Sequence, residues 1–201
     1  MNKKNLLIQL TNIRHNFALI MAACRLFSVD TCYEFLDDSW LESESGRPCF
    51  HIRNLSPDLK EHENWLDNLK KSNIECLIRF HEVSTLLRND NDRKLQLLEF
   101  AKMGVRALIK ESFEVILTYC EQTGQKNSFT NQTWYHFYRL LRNAVSHDFK
   151  FSFKPNSDYL PAEFKDHRIT SNMNNSDVTF SYNVFVDLFK EAINFVEVNL
   201  V

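Results

Sequence analysis

The sequence predicts an all-α protein, an antiparallel bundle of four to five long helices with a short β-hairpin late in the chain. Apolar residues recur at alternating spacings of three and four in at least four segments, which is typical of amphipathic helices. The connections between these segments are short, which favours antiparallel neighbours. A loosely alternating stretch before the last segment is typical of strands. We therefore expect a single helical domain over residues 1–201.

The first helix is predicted near the start of the chain, where apolar residues fall on one helical stripe. The members of this stripe are Leu6, Leu10, Ile13, Phe17, Ile20, Cys24 and Phe27. A second helical segment is predicted over residues 30–42. Residues 43–56 contain Gly46 and Pro48 and are predicted to form a loop.

The next helix is predicted to begin at Ser56 and Pro57, because serine caps helices and proline suits their first turn. It is expected to reach Leu87, with the inward residues Leu59, Leu66, Leu69, Cys76, Phe80, Val83 and Leu87. The polar run at residues 89–92 then ends the pattern. This run lacks the glycine and the terminal glutamate of a calcium loop, so it predicts a turn and a helix cap.

Two more helices are predicted in the second half of the chain. One covers residues 93–121 and is stopped by Thr123 and Gly124 just beyond it. Its inward residues are Leu98, Ala101, Val105, Leu108, Val115 and Tyr119. The other covers residues 131–147 after Thr130, a candidate cap. Its inward residues are Trp134, Phe137, Tyr138, Leu141 and Val145.

The chain is predicted to finish with a hairpin and a helix. Residues 164–170 and 178–181 are expected to pair around a polar turn at residues 172–177. The last helix is expected over residues 183–199, with Phe185, Leu188, Phe189, Ala192 and Val196 inward. Because an isolated hairpin is marginal in water, this one should lie on the helices.

Composition narrows the class of function. The formal net charge is -2, so binding of RNA requires a local basic patch. Only three glycines occur, and they are too scattered for a P-loop, a dinucleotide fingerprint or a nucleophile elbow. The five cysteines are widely spaced, which indicates reduced thiols and a cytoplasmic protein. No apolar run approaches the roughly 20 residues of a membrane span, so no membrane partner is expected.

One six-residue segment combines side chains suited to phosphodiester chemistry: Arg142-Asn143-Ala144-Val145-Ser146-His147. Histidine can accept or donate a proton near neutral pH. Arginine can hold a phosphate by two parallel hydrogen bonds and offset its growing charge. Asparagine can orient either group. No histidine pair has the His-Glu-x-x-His spacing of a helical metal site, so no metal or other cofactor is predicted.

This segment resembles the signature of the HEPN superfamily (higher eukaryotes and prokaryotes nucleotide-binding), in which arginine, often followed by asparagine, precedes a histidine by four to six residues. The motif covers six residues, and the predicted helices extend the resemblance over most of the chain. The resemblance implies a helical bundle that pairs with a second copy. It also implies a metal-independent ribonuclease of toxins, defence systems or RNA processing, or a relative that binds RNA or nucleotides without cutting them.

Helix geometry favours a dimer for this motif. Arg142 and His147 are five residues apart, which separates them by about 140° around an ideal helix. Two motifs that meet across a two-fold axis could still act on one phosphate, and so could one motif on a helix that loosens near His147. A second stripe, formed by His136, Leu140, Asn143 and His147, is the expected contact surface.

In one HEPN subgroup a modified tyrosine follows the motif histidine by two residues; here that position is Phe149, which has no hydroxyl.

The leading interpretation is a homodimeric, HEPN-like, metal-independent endoribonuclease, toxin-like or part of a defence system, with an antitoxin-type protein as a further partner. The catalytic residues would be His147 as general acid and base, Arg142 as phosphate clamp and Asn143 as orienting group. Arg139 and Lys150 are expected to extend an RNA-binding patch. Two alternatives stay open: a non-catalytic module that binds RNA or a nucleotide, and a helical protein-interaction domain.

Overall fold

The computed structural model describes residues 1–29, 39–44, 47–52, 76–79 and 87–201. This part of the chain is predominantly helical and has a short two-stranded antiparallel sheet near its end, so these two predictions are confirmed. Contacts divide the chain into two compact units, Ala22–Glu99 and the pair of segments Met1–Met21 and Phe100–Val201. The single HEPN-like domain stays a prediction.

The unit Ala22–Glu99 contains a three-stranded sheet that the sequence did not predict. Strands β1 (Ser39–Glu44), β2 (Arg47–Ile52) and β3 (Cys76–Arg79) are antiparallel in the order β2-β1-β3.

Helix was wrongly predicted for residues 39–42 and 76–79, and loop for residues 43–44 and 47–52. Short apolar runs do not distinguish strand from helix, and β1 pairs with β3 across more than thirty residues of sequence, which no local pattern reveals. The rest of the two predicted helices, residues 30–38, 57–75 and 80–86, lies outside the described residues.

The first helix is confirmed as α1 (Lys3–Phe27). Leu6, Leu10 and Ile13 are buried as the stripe predicts. A Cβ added to Gly104 would lie 2.9 Å from the Cγ2 atom of Ile20. Glycine at this position therefore permits the close approach of two helices.

The helix predicted over residues 93–121 is confirmed as one helical run with a change of pitch inside it. The α-helix α2 (Asp90–Arg106) passes into a π-helix (Ala107–Glu111) and then into α3 (Ser112–Gln122). The wider π turn shifts the inward register by one residue. Ile116 is therefore buried and Val115 is only half-buried, although regular spacing predicts the reverse. Leu98, also predicted inward, is exposed.

The helix that carries the motif begins later than predicted. A short helix α4 (Lys126–Thr130) ends at Thr130, and α5 covers Tyr135–Ser146. Thr130 does not cap α5, because its hydroxyl lies 3.5 Å from the carbonyl oxygen of Asn127, within α4 itself. All five predicted inward residues of this segment are buried, with Trp134 just before the first turn.

The late hairpin is present, but its strands pair differently from the prediction. Strands β4 (Ala162–Phe164) and β5 (His167–Ile169) both lie near the first predicted strand, and Lys165 adopts a positive φ of 50° between them. The lysine–aspartate turn between them lacks the glycine or asparagine that normally marks a tight hairpin. The polar turn after residue 171 instead returns the chain to Phe149 and Phe151, which exchange backbone hydrogen bonds with residues 175–178.

The last helix, α6 (Tyr182–Asn199), is confirmed, and its five predicted inward residues are buried. The core of the unit formed by Met1–Met21 and Phe100–Val201 is rich in aromatic rings, as the seventeen phenylalanines of the chain suggest. Phe129 contacts the rings of Phe113, Trp134, Tyr135 and Phe195 at centroid distances of 5.2–5.8 Å. This packing fixes α5 between its neighbours. No helix among the described residues is long and apolar enough to cross a membrane.

Candidate functional site

Helix α5 buries one face and presents a polar stripe on the other. The residues of the polar stripe are half-buried and follow helical spacing; they are His136, Arg139, Arg142, Asn143 and Ser146. Leu140, which we expected on the contact surface, is 2% exposed and belongs to the core. The contact stripe predicted from the sequence is therefore corrected: Arg139 and Arg142 occupy the face that was assigned to Leu140.

Arg142 and Asn143 are joined directly. The Nη1 group of Arg142 donates a hydrogen bond to Oδ1 of Asn143 over 2.9 Å. The Nη2 group forms an ion pair with Glu114 of α3. An arginine has five N–H donors, so these two contacts leave others for a phosphate. The predicted clamp is therefore oriented, but its charge is balanced by a carboxylate.

Two further atoms of Arg142 differ in their pairing. Its Nε is buried and has no hydrogen-bond partner. Its backbone carbonyl accepts a hydrogen bond of 2.8 Å from the hydroxyl of Ser146, one turn later. Such a bond from a serine to the preceding turn competes with the helical ladder, and it lies where α5 is about to end.

His147 lies at the end of α5 rather than within it. Its φ of -122° and ψ of 67° are not helical, and its N–H donates to the carbonyl of Ala144 over 3.0 Å. The side chain is exposed, and no hydrogen bond or ion pair involves its imidazole among the described residues. The angle of an ideal helix therefore does not determine where His147 points, and its side chain is exposed to solvent.

The chain leaves His147 in an unusual conformation. Asp148 and Phe149 have positive φ values of 52° and 59°. Two consecutive non-glycine residues in this region are uncommon, and each costs free energy that the surroundings must offset. The N–H of Lys150 closes the turn on the carbonyl of His147 over 3.0 Å, and the N–H of Val178 fixes Phe149 over 2.8 Å.

A basic pair from the preceding helical run stabilises this end of α5, and the sequence analysis missed it. Nε of Arg106 donates to the carbonyl of Val145 over 2.8 Å, and its guanidinium lies 5.9 Å from the ring centre of Phe149. Nζ of Lys102 lies 6.0 Å from the same ring. Cations at a helix carboxyl end offset the helix dipole. Nothing in the local sequence signals a contact between residues 39 positions apart.

The two predicted RNA-binding residues lie in different surroundings. The guanidinium of Arg139 lies 4.5 Å from the ring centre of Tyr159, and His136 stacks on the same tyrosine at 5.4 Å and 16°. Burial, and secondarily the charge of Arg139, lowers the pKa of His136 below its usual value. Lys150 is exposed, and its backbone forms a bridge with Asp177. Arg139 therefore belongs to the polar stripe, whereas Lys150 follows the turn beyond it.

Together these residues form a surface that suits an anion. Arg139 and Arg142 lie one turn apart on α5, and His147, Arg106 and Lys102 surround its carboxyl end. Acidic groups also lie here: Glu114 forms an ion pair with Arg142, and Asp148 directly follows His147. In the described part of the chain, no group of three or more His, Cys, Asp or Glu side chains could hold a metal ion. Cys24 and Cys120 are free thiols.

Comparison of the chain with models of known protein families, with curated proteins and with solved structures gives no match. The motif and its surroundings are therefore the features of the chain that indicate a function.

Proposed function

We propose that this protein is a HEPN-like, metal-independent endoribonuclease whose site is built on Arg142, Asn143 and His147. In this proposal the helices form an antiparallel bundle, the protein acts as a homodimer in the cytoplasm, and its role is that of a toxin or defence enzyme held in check by an antitoxin-type protein. The RNA phosphate is the ligand, and no cofactor takes part.

The observation that carries the proposal is the exposed polar end of an otherwise buried helix. Arg142 and Asn143 are linked by a hydrogen bond on the half-buried face of α5, and His147 follows on a turn that lacks helical constraint. A stabilising role alone would not require a strained turn beside an unpartnered imidazole, because strain persists only where the surroundings enforce it. Such strain is common at functional sites.

The proposed reaction is a transesterification within the RNA. One His147 imidazole accepts the proton of a ribose 2'-hydroxyl, and the 2'-oxygen then bonds to the adjacent phosphorus. The bond from phosphorus to the 5'-oxygen breaks, and that oxygen takes a proton from an imidazolium. Arg142 offsets the charge that grows on the phosphate oxygens, and Asn143 fixes the guanidinium. The products carry a 2',3'-cyclic phosphate and a free 5'-hydroxyl.

Two His147 side chains are needed if one accepts a proton while another donates one. A two-fold dimer that joins the carboxyl ends of two α5 helices would supply both, because a symmetric interface presents each residue twice. Arg139, one turn before Arg142 on α5, would contact the neighbouring phosphates of the same RNA strand. Lys102, Arg106 and Lys150 would raise the local positive potential at the carboxyl end of α5.

A second function, binding of RNA or a nucleotide without cleavage, is favoured by one contact. The ion pair between Arg142 and Glu114 balances the charge that the transition state needs. If Glu114 keeps this contact in the complex, Arg142 can position a phosphate but stabilises added charge poorly. Catalysis therefore requires that the phosphate either displaces Glu114 from Arg142 or shares the Arg142 guanidinium with it.

The distinguishing experiment incubates purified protein with mixed RNA in excess chelator. The wild-type protein should cut, and His147→Ala should not. His15→Ala is the matched control, because His15 is an exposed histidine of α1 and lies outside the motif. Binding without cutting in the wild type would support the binding module. Equal cutting by His147→Ala would contradict the assignment of the general acid and base.

A further inference from the structure

A cavity of about 470 Å³ lies beside the amino-terminal half of α5, apart from the motif itself. Trp134, His136 and Tyr159 contribute aromatic walls, and Lys165 and Glu191 contribute charged groups. Its volume falls within the range of about 300–1,000 Å³ that small-molecule sites occupy. All lining residues belong to the unit that also contains the motif.

The aromatic walls suit a flat ring. His136 and Tyr159 are almost parallel, with ring centres 5.4 Å apart. Arg139 lies 4.5 Å from the centre of the Tyr159 ring. Burial and the nearby charge of Arg139 lower the pKa of His136, which favours its neutral form. Unpaired bases bind to proteins by stacking on aromatic rings and guanidinium planes of this kind.

Of the charged side chains that line the cavity, Lys165 and Glu163 have partners within the protein and Glu191 has none among the described residues. Lys165 donates to Asp187 over 2.8 Å, and Glu163 forms an ion pair with Arg168. Glu191 is half-buried on α6, and its carboxylate has no hydrogen bond or ion pair among the described residues. A half-buried carboxylate without a donor is the acceptor that this cavity offers to a ligand.

The cavity and the motif share one helix face. His136 lines the cavity, and Asn143 lies seven residues later, about 11 Å along the same stripe. Arg139 lies between them and contacts Tyr159. An RNA strand with its phosphate at Arg142 could therefore extend along α5 and place a nearby base in the cavity.

We infer that the cavity at His136, Tyr159 and Glu191 is a base-recognition site that selects guanine in single-stranded RNA. A carboxylate accepts two parallel hydrogen bonds when two donors are adjacent on one edge. Guanine offers this arrangement through its ring N1–H and its 2-amino group. Adenine and cytosine offer one amino group beside an acceptor, and uracil offers one N–H between two carbonyls. The other donors of Lys165 can bind guanine O6.

The inference deepens the proposed function and depends on the same polar stripe. It is tested by binding rather than by cleavage, with the His147→Ala protein titrated calorimetrically with guanosine, inosine and adenosine 3'-monophosphates. Guanosine monophosphate should bind about tenfold more tightly than inosine monophosphate, which lacks only the 2-amino group, because one hydrogen bond to a charged acceptor is lost. Adenosine monophosphate should bind at least as weakly as inosine monophosphate.

Two variants assign the effect to the cavity. In the His147→Ala background, Glu191→Gln should reduce the guanosine-to-inosine ratio to near one, whereas Glu197→Gln, an exposed glutamate of the same helix, should leave it unchanged. Tyr159→Leu should weaken all nucleotides by about tenfold through lost stacking, without changing their order. Unchanged circular dichroism and melting confirm that each variant is folded.

Equal affinity for guanosine and inosine monophosphates, no binding of either, or a ratio that Glu191→Gln leaves intact would overturn the base site. The outcome is separable from that of the proposed function. Cleavage without a guanine preference would remove the base site and leave the ribonuclease. A guanine preference without any cleavage would leave the base site and favour the binding module.

Discussion

Among the individual side chains, the central feature is the guanidinium of Arg142, which two neighbouring residues already share. Arg142 contacts Asn143 on its own helix and Glu114 on α3. The motif predicted that Arg142 and Asn143 act together. The opposing carboxylate could not be predicted, because Glu114 comes from another helix and carries no local signal. The site therefore contains an acidic partner that modulates the arginine.

The first prediction tests that partner. Glu114→Gln should raise the affinity for RNA several-fold at low salt, because it releases the charge of Arg142 for phosphate. Arg142→Lys should lower cleavage by about 10²–10³, since a point ammonium cannot reproduce the planar grip. Filter binding and initial rates measure the two effects. Glu111→Gln is the control, as an exposed glutamate on the same helical run. Weaker binding by Glu114→Gln would contradict this account.

The second prediction concerns His136 and pH. Because the pKa of His136 is lowered in the folded protein, the unfolded chain binds this proton first as the pH falls. Stability from this residue is therefore present above about pH 6.5 and lost as the pH falls further. Urea unfolding at pH 8 and pH 5 should show a smaller loss for His136→Phe than for the wild type. An identical loss in both proteins would show that His136 does not contribute.

At the element scale, long amphipathic helices could be predicted, and the points where they change could not. The stripes of α1 and α6 give the correct inward faces, because each follows regular spacing. The π-helix at Ala107–Glu111 shifts the register of α3, and no pattern of apolar residues shows an inserted residue. Residues 39–42 and the strand Cys76–Arg79 were mistaken for helix, because the pairing of their two strands spans more than thirty residues of sequence.

The π-helix has a direct relation to the site. Arg106, immediately before it, bonds to Val145, and Glu114, shortly after it, pairs with Arg142. Both contacts reach α5 from one helical run. The π-helix between Arg106 and Glu114 turns the face that this run presents to α5. The change of register therefore sets the surroundings of the motif.

The third prediction tests whether Arg106 holds the end of α5. Arg106→Met keeps an apolar side chain beside Phe149 but removes the hydrogen bond to Val145. The free energy of unfolding should fall by about 1–2 kcal/mol, as expected for a hydrogen bond from a charged donor. The rate of cleavage should fall more than the affinity for RNA, because His147 loses its fixed position. A variant that binds RNA poorly and cuts at a normal rate when saturated would contradict this role.

At the scale of the whole molecule, one chain supplies one copy of His147, and the proposed reaction uses two. The fourth prediction is a two-fold dimer that pairs the carboxyl ends of the two α5 helices and leaves the rest of the polar stripe open to RNA. Light scattering at micromolar concentration should give twice the chain mass of 23.8 kDa. Ser146→Glu should weaken the dimer, because it replaces a neutral residue of the stripe and places two new like charges near the symmetry axis. A monomeric and fully active wild-type protein would contradict the paired site.

The chemistry of the cut ends distinguishes the proposed histidine mechanism from other ways of cutting RNA. A short RNA and its all-deoxy counterpart are incubated with the protein in excess chelator, and the products are treated with phosphatase and with polynucleotide kinase. We expect the RNA alone to be cut, with a 2',3'-cyclic phosphate on one product and a free 5'-hydroxyl on the other, because His147 activates the ribose 2'-hydroxyl. Cleavage of the all-deoxy strand, or products that carry a 5'-phosphate, would contradict the mechanism.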